Sequence, residues 1–190
     1  VNGDGHTDLL VGVPYADQPN EDAGIVCIFF GPLPESAQMD ASEADVVLSG
    51  EGIEPGIFGD VADHFGSSVA LGDVDGDGLL DILVGAPGAD AIPGSYDPIR
   101  DAGRAYVFLG SDSLSDTSAT DALVTIVGVK SGRNLGSSVC IADVDADGLG
   151  DLAIAEAATW SSHSFGGHVY VFFGEELESG SGQDADLRIM

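Results

Sequence analysis

Apolar residues fall in short blocks along this chain, each closed off by glycine, proline or aspartate. One set comprises Leu9 to Pro14, Ile82 to Pro87 and Leu152 to Ala157. A second comprises Gly24 to Gly31, Gly103 to Gly110 and Gly167 to Gly174. After linkers rich in Ser, Asp and Glu comes a third: Asp45 to Ser49, Ala122 to Val127 and Asp186 to Met190. A fourth, Gly66 to Gly72 or Gly136 to Ala142, runs straight into an acidic cluster. The blocks are short and rich in β-branched and aromatic residues, which predicts strands. No stretch carries the sustained period and the caps of a helix.

The blocks recur as a unit. Asp73 and Asp143 hold the same place in successive copies, as do Asp8 and Asp81. Four short strands per unit with a recurrent turn motif is the pattern of β-propeller blades. The chain divides into residues 1–65, an incomplete blade lacking its first strand, 66–134, a complete blade, and 135–190, another. All belong to one all-β propeller domain. A closed propeller needs about four blades or more. The expectation is therefore that the remaining blades come from a longer chain or from neighbouring chains.

The turn motif carries the chemistry. Asp73-Val-Asp-Gly-Asp-Gly-Leu-Leu-Asp81 is matched by Asp143-Val-Asp-Ala-Asp-Gly-Leu-Gly-Asp151, and in shortened form by Val1-Asn-Gly-Asp-Gly-His-Thr-Asp8. Oxygen-bearing side chains alternate, a glycine permits a sharp bend, and a further Asp follows three residues later. So many carboxylates in nine residues repel one another unless some take up protons or a cation sits among them. A hard divalent ion that prefers oxygen, calcium above all, is the natural occupant. The plainer reading is a set of Asp/Gly-rich turns between strands; recurrence in register favours the ion.

Charge narrows the partners. The 190 residues include 33 acidic and 5 basic side chains, a net charge of −28, with 44% hydrophobic content. Three divalent ions would offset about six of those charges, so the rest of the surface is strongly anionic. That argues against nucleic acid or an anionic membrane as partner. It resembles the composition of proteins secreted into salty media. The apolar runs are too short for a membrane-spanning helix, and no membrane insertion is expected. The opening residues do not read as a signal peptide; since the chain begins inside a motif, an export signal could lie upstream. Cys27 and Cys140 both lie in apolar runs, which predicts two buried free thiols, with a disulfide between them as the alternative.

Phe65-Gly66, then Asp73 to Asp81, then Gly85-Ala86-Pro87 resemble the FG-GAP repeat of the integrin α-subunit β-propeller and its bacterial relatives. The likeness covers nearly the whole chain. In the third unit Leu135-Gly136 stands for Phe-Gly and Ala155-Glu156-Ala157 for Gly-Ala-Pro; the first has Gly12-Val13-Pro14. The resemblance implies a seven-bladed propeller in the intact protein, with calcium between the first and second strands of certain blades. It also implies extracellular or cell-surface adhesive or binding work. Carried onto this chain, the ligands are Asp73, Asp75, Asp77, Asp81 and the Leu79 carbonyl. The third unit supplies Asp143, Asp145, Asp147, Asp151 and the Leu149 carbonyl; the first, Asn2, Asp4, Asp8 and the His6 carbonyl.

Catalysis finds little footing. The acidic clusters repeat, as does Ser67-Ser68 in Ser137-Ser138, whereas catalytic groups are placed once. His6, His64, His163 and His168 show no metal spacing such as HExxH. What is unique lies in the loops between second and third strands: Tyr15, Asp17, Tyr96, Asp97, Arg100, Trp160 and His163. The resemblance puts these loops opposite the metal loops, where a protein or carbohydrate ligand would bind; the alternative is that they merely cover the blade edge. Arg100 and Arg104 could each pair with Asp97 or Asp101. The expected function is a non-catalytic, calcium-loaded binding module. Its rivals are an accessory propeller of a secreted hydrolase or lyase, and a self-assembling surface protein whose blade edges pair between chains.

Overall fold

Strand follows strand along the computed structural model, which describes residues 1–34, 38–51, 62–91, 99–157, 166–174 and 177–189. β1 (Leu9–Val13), β2 (Ile25–Phe29) and β3 (Val46–Ser49) form an antiparallel meander. β4 (Ser68–Gly72), β5 (Asp81–Ala86), β6 (Arg104–Phe108) and β8 (Val124–Val127) form a second. β9 (Leu135–Ala142), β10 (Asp151–Glu156), β11 (His168–Phe172) and β13 (Leu187–Ile189) form a third. The chain is all-β, built as blades of a propeller. The 3-10 turns Ala41–Glu43 and Ala119–Asp121 lead into β3 and β8.

Period-two alternation decides which residues meet. On β5, Ile82 and Val84 point toward the first sheet and join Val26, Ile28, Val46 and Leu48 there. Leu83, between them, points the other way, toward Leu135, Leu152 and Ile154 of the third sheet. Both faces of the middle blade are thus buried against neighbours, which is why every residue of β5 and β6 is buried. Phe65 is fully buried in the first interface and packs against Tyr106 and Phe108 at 5.6 and 6.1 Å between ring centroids. Leu135 fills the same role in the second.

Two short strands escape a reading of apolar blocks. β7 (Thr117–Ser118) and β12 (Gly180–Ser181) each reach back from the linker before a blade's fourth strand and pair in parallel with the outer strand of the preceding blade. Asp116 Oδ1 accepts from the Val47 N–H at 2.8 Å, and Ser179 Oγ from the Thr125 N–H at 3.0 Å. These hooks cover edges that would otherwise offer unpaired N–H groups. They are polar and only two residues long, so hydrophobic patterning does not mark them.

The cysteines depart in part from expectation. Both are free, but Cys27 is buried and Cys140 is exposed. On β9, Val139 and Ile141 turn into the core, so alternation sends Cys140 to the opposite face.

Candidate functional site

Each acidic loop is a hairpin turn shaped by its own side chains. Asp73 accepts from the Gly76 N–H at 2.7 Å through Oδ1 and from the Gly78 N–H at 2.9 Å through Oδ2. Asp75 Oδ1 accepts from Asp77 N–H at 3.1 Å, and Asp77 Oδ1 from Leu79 N–H at 2.7 Å. The third unit repeats the scheme: Asp143 takes the Gly148 N–H, Asp145 that of Asp147, and Asp147 that of Leu149. Such Asx turns need positive φ between them, which Gly76 and Gly78 supply. Ala146 stands at the place of Gly76 and still holds φ at +67°, a region alanine rarely occupies.

The closing aspartate is the fixed point. Asp81 Oδ2 accepts from the Val74 N–H at 2.7 Å and Oδ1 from the Gly110 N–H at 2.8 Å. Asp151 does the same with Val144 at 2.7 Å and Gly174 at 3.0 Å. Asp8 receives the Val1 nitrogen at 2.8 Å and the Gly31 N–H at 3.0 Å. The last residue of each loop thus ties the loop's start to the end of the next strand but one. Those glycines have packing reasons too: a Cβ on Gly110 would lie 2.6 Å from the Leu80 carbonyl oxygen.

This bracing gathers carboxylates. In the second unit, oxygens of Asp73, Asp75 and Asp81 lie within 4.8 Å of one another; in the third, those of Asp143, Asp145 and Asp151 do. Oxygens sharing one calcium at about 2.3–2.6 Å can lie no more than about 5 Å apart, so the spacing fits a single ion of that size. Burial pushes the Asp81 carboxyl up, its Val74 and Gly110 donors oppose, and the Asp75 and Asp73 charges push further up. Asp145 is also raised, by desolvation and by the charges of Asp147, Asp151 and Asp143. Like charges held this close without a counter-charge are what a cation would relieve.

Not every expected ligand joins these groups. Asp77 and Asp147 are occupied in their turns and lie outside the gathered trios. The first loop keeps the same turns, Asn2 accepting from Asp4 N–H at 3.2 Å and Asp4 from His6 N–H at 2.8 Å. With Asn2 in place of an acid it offers two carboxylates, Asp4 and Asp8.

At the opposite end of the strands, Tyr15 is 71% exposed and its ring meets His64 edge-on at 5.1 Å. Asp17 braces its own loop by accepting from the Asp22 N–H at 3.2 Å. Arg100 sits in a turn whose carbonyl oxygen accepts from Gly132 N–H at 2.9 Å. Tyr96, Asp97, Trp160 and His163 lie outside the described residues. Arg104 is buried and turns to other partners than Asp101: Nη1 pairs with Glu51 while Nη2 donates to the Asp90 carbonyl oxygen at 2.9 Å. It begins β6, where Arg104 and the alternate residue Tyr106 face the preceding blade, and Glu51 follows β3 there.

Two polar clusters at the blade junctions went unseen in the sequence. Between the first and second blades, Glu51 accepts from Arg104 and from the Tyr106 hydroxyl at 3.0 Å. Between the second and third, Glu156 meets Arg133 at 3.5 Å, the His168 ring at 2.8 Å and the Tyr170 hydroxyl at 3.0 Å. The only signal was the charged residue at 156 where the other repeats carry Ala86 or Val13.

Residues 1–29 and 65–108 match the FG-GAP repeat. Over 160 residues, 82% of its length, the chain is 35% identical to phosphatidylinositol-glycan-specific phospholipase D of Rattus norvegicus, and over 159 residues 31% identical to the Homo sapiens form. Over 121 residues, 60% of its length, it is 36% identical to integrin alpha-IIb of Homo sapiens. It spans 17% of those phospholipases and 11% of that integrin chain.

Proposed function

Because the chain belongs to the FG-GAP repeat family, whose blades it displays, we propose that it is a calcium-binding propeller module serving as an extracellular binding or adhesion unit. The observation that carries the metal is the double trio, Asp73, Asp75 and Asp81 with Asp143, Asp145 and Asp151, gathered in the same register on successive blades. Asp77, Asp147 and the Leu79 and Leu149 carbonyls complete the donor sets; Asn2, Asp4, Asp8 and the His6 carbonyl form a poorer third. Many flexible protein oxygens and no phosphate favour calcium over magnesium. Bound there, the ion supplies charge neutralisation rather than chemistry. The chain's own residues do the rest: Asp81 and Asp151 carry any tightening of the loop on to Gly110 and Gly174.

Catalysis is assigned to no residue of this segment, since the acidic groups recur blade by blade. The partner is read as a protein or carbohydrate, approached through the Tyr15 side of the blades; exposed aromatic rings suit either. Calorimetric titration of the chelator-stripped chain with CaCl2 tests the metal reading. The expected result is binding that Asp75→Asn weakens at one site and Asp145→Asn at another. Absence of heat, with no calcium retained on dialysis, overturns it.

A second reading has its own support. The phospholipase relatives match over more of this chain than the integrin does, so the module is alternatively the accessory propeller of a secreted hydrolase. The full-length protein decides: a hydrolase domain beside these repeats selects this reading, further repeats with a surface anchor the first.

A further inference from the structure

The step from one blade into the next reads Asp63-His-Phe-Gly66 at the first junction and Arg133-Asn-Leu-Gly136 at the second. Its backbone is held alike in both. His64 and Asn134 N–H groups donate to the Asp22 and Asp101 carbonyls, and those of Phe65 and Leu135 to Ala23 and Ala102. The leading side chains are both buried, one an acid and the other a base. Arg133 has Glu156 at 3.5 Å and the Gly166 carbonyl oxygen at 2.7 Å.

Asp63 is 3% exposed, and its Oδ1 has no hydrogen-bond partner among the described residues. The groups facing it are Glu51 from the exit of β3, Asp90 from the loop after β5, and Arg104 and Tyr106 from β6. Arg104 gives Nη1 to Glu51 and Nη2 to the Asp90 carbonyl oxygen, and the Tyr106 hydroxyl goes to Glu51; the Arg104 Nε–H, also buried, donates to no acceptor among the described residues. One cation therefore stands among three carboxylates. An ionised carboxylate buried there with one oxygen unpaired is costly, and a proton lowers that cost. Asp63 lies before β4, at the far end of the strand from the acidic loop, so calcium chemistry does not reach it.

We propose that Asp63 carries a proton in the folded chain and that its loss loosens the junction between the first and second blades, making that junction pH-sensitive. Burial first, then the Glu51 charge, raise the carboxyl to about 7; Arg104 opposes and Asp90 adds to the rise. In the unfolded chain the group ionises near 3.9. The folded state thus binds the extra proton between those values. The contribution to stability is full below the unfolded value and is lost as pH rises to about 7. The junction that opens carries the exposed Tyr15 against the half-buried His64 ring.

Hydrogen exchange in saturating calcium tests this, with rates corrected for the intrinsic effect of pH. Between about pH 6 and about pH 8, protection of the Phe65 and Gly88 amides is expected to fall about tenfold, the change one pKa unit corresponds to. The Leu135 amide, at the junction where Arg133 replaces Asp63, serves as control and holds its protection. Asp63→Asn is expected to flatten the response at Phe65. Should that variant not fold, the carboxyl carbon resonance of Asp63 in the wild type reports the titration directly, with a midpoint near 7 expected. A midpoint in the ordinary carboxylate range, or an Asp63→Asn chain with wild-type pH response, overturns the proposal.

Discussion

A Cβ on Gly85 would sit 2.0 Å from the carbonyl oxygen of Gly136. Gly85 lies on β5 and Gly136 on β9, so the contact joins two blades. Gly12 and Gly66 make the same approach one junction earlier, at 1.9 Å. The glycine of Phe-Gly in one repeat and that of Gly-Ala-Pro in the repeat before are therefore two halves of one backbone contact.

Gly85→Ala is expected to force the second and third sheets apart. Gly85 does not have positive φ, so the cost is steric rather than conformational. The neighbour is backbone and cannot rotate aside. A loss of about 2–4 kcal/mol is expected from overpacking against a rigid atom. Urea unfolding reads it, and a variant as stable as wild type would show that the sheets yield freely there.

Removing calcium should lower the melting temperature. An ion present at a hundred times its dissociation constant stabilises the folded chain by about 2.7 kcal/mol per site, since the unfolded chain offers no gathered loop. Thermal unfolding with excess calcium and with excess chelator measures the difference. Coincident curves would leave the two trios as acidic turns.

Much of this was legible because it repeats. Strand blocks, blade count and acidic loops each occur in register, and period-two alternation then sorts buried from exposed residues. What stayed hidden has no periodic mark. The hooks at Thr117–Ser118 and Gly180–Ser181 are polar and two residues long, and their stability comes from a partner strand some 54 to 69 residues away in sequence. Glu156 looks like decay of Gly-Ala-Pro; its meaning depends on Arg133, His168 and Tyr170, which only folding brings to it. Asp81 was legible as acidic but not as the residue that binds Gly110, since its backbone partners leave no trace in side-chain pattern.

Asp81 separates bracing from metal binding. Asp81→Ala strands the buried Val74 and Gly110 N–H groups, at about 1–3 kcal/mol for each donor left unmet. That loss should persist in chelator. Asp81→Asn keeps the shape and one of the two oxygen acceptors but sets an NH2 against the other backbone N–H, so it should lose stability in chelator as well, with a further loss in calcium because the charge is gone. Unfolding of both variants with and without calcium checks the pair. Equal losses in the two conditions for both variants would mean that Asp81 has no part in holding an ion.

Glu156 offers the sharpest contrast between charge and shape. Its carboxylate is buried beside Arg133 and His168 and accepts from the Tyr170 hydroxyl. Glu156→Ala removes one partner of a buried guanidinium, and breaking a buried pair in this way usually costs about 3–5 kcal/mol. Glu156→Gln preserves volume and an acceptor for Tyr170, and should cost less. The tyrosine reports the difference independently of stability. Burial and the Glu156 hydrogen bond push its phenol up to about 12. Removing the carboxylate charge should bring it down toward the usual value near 10. Absorbance of the phenolate in an alkaline titration, confined to the range where the variant stays folded, measures that fall. If Tyr170 ionises at the same pH in Glu156→Gln as in the wild type, the carboxylate does not govern this junction, and the stability loss in Glu156→Ala would have to come from the cavity alone.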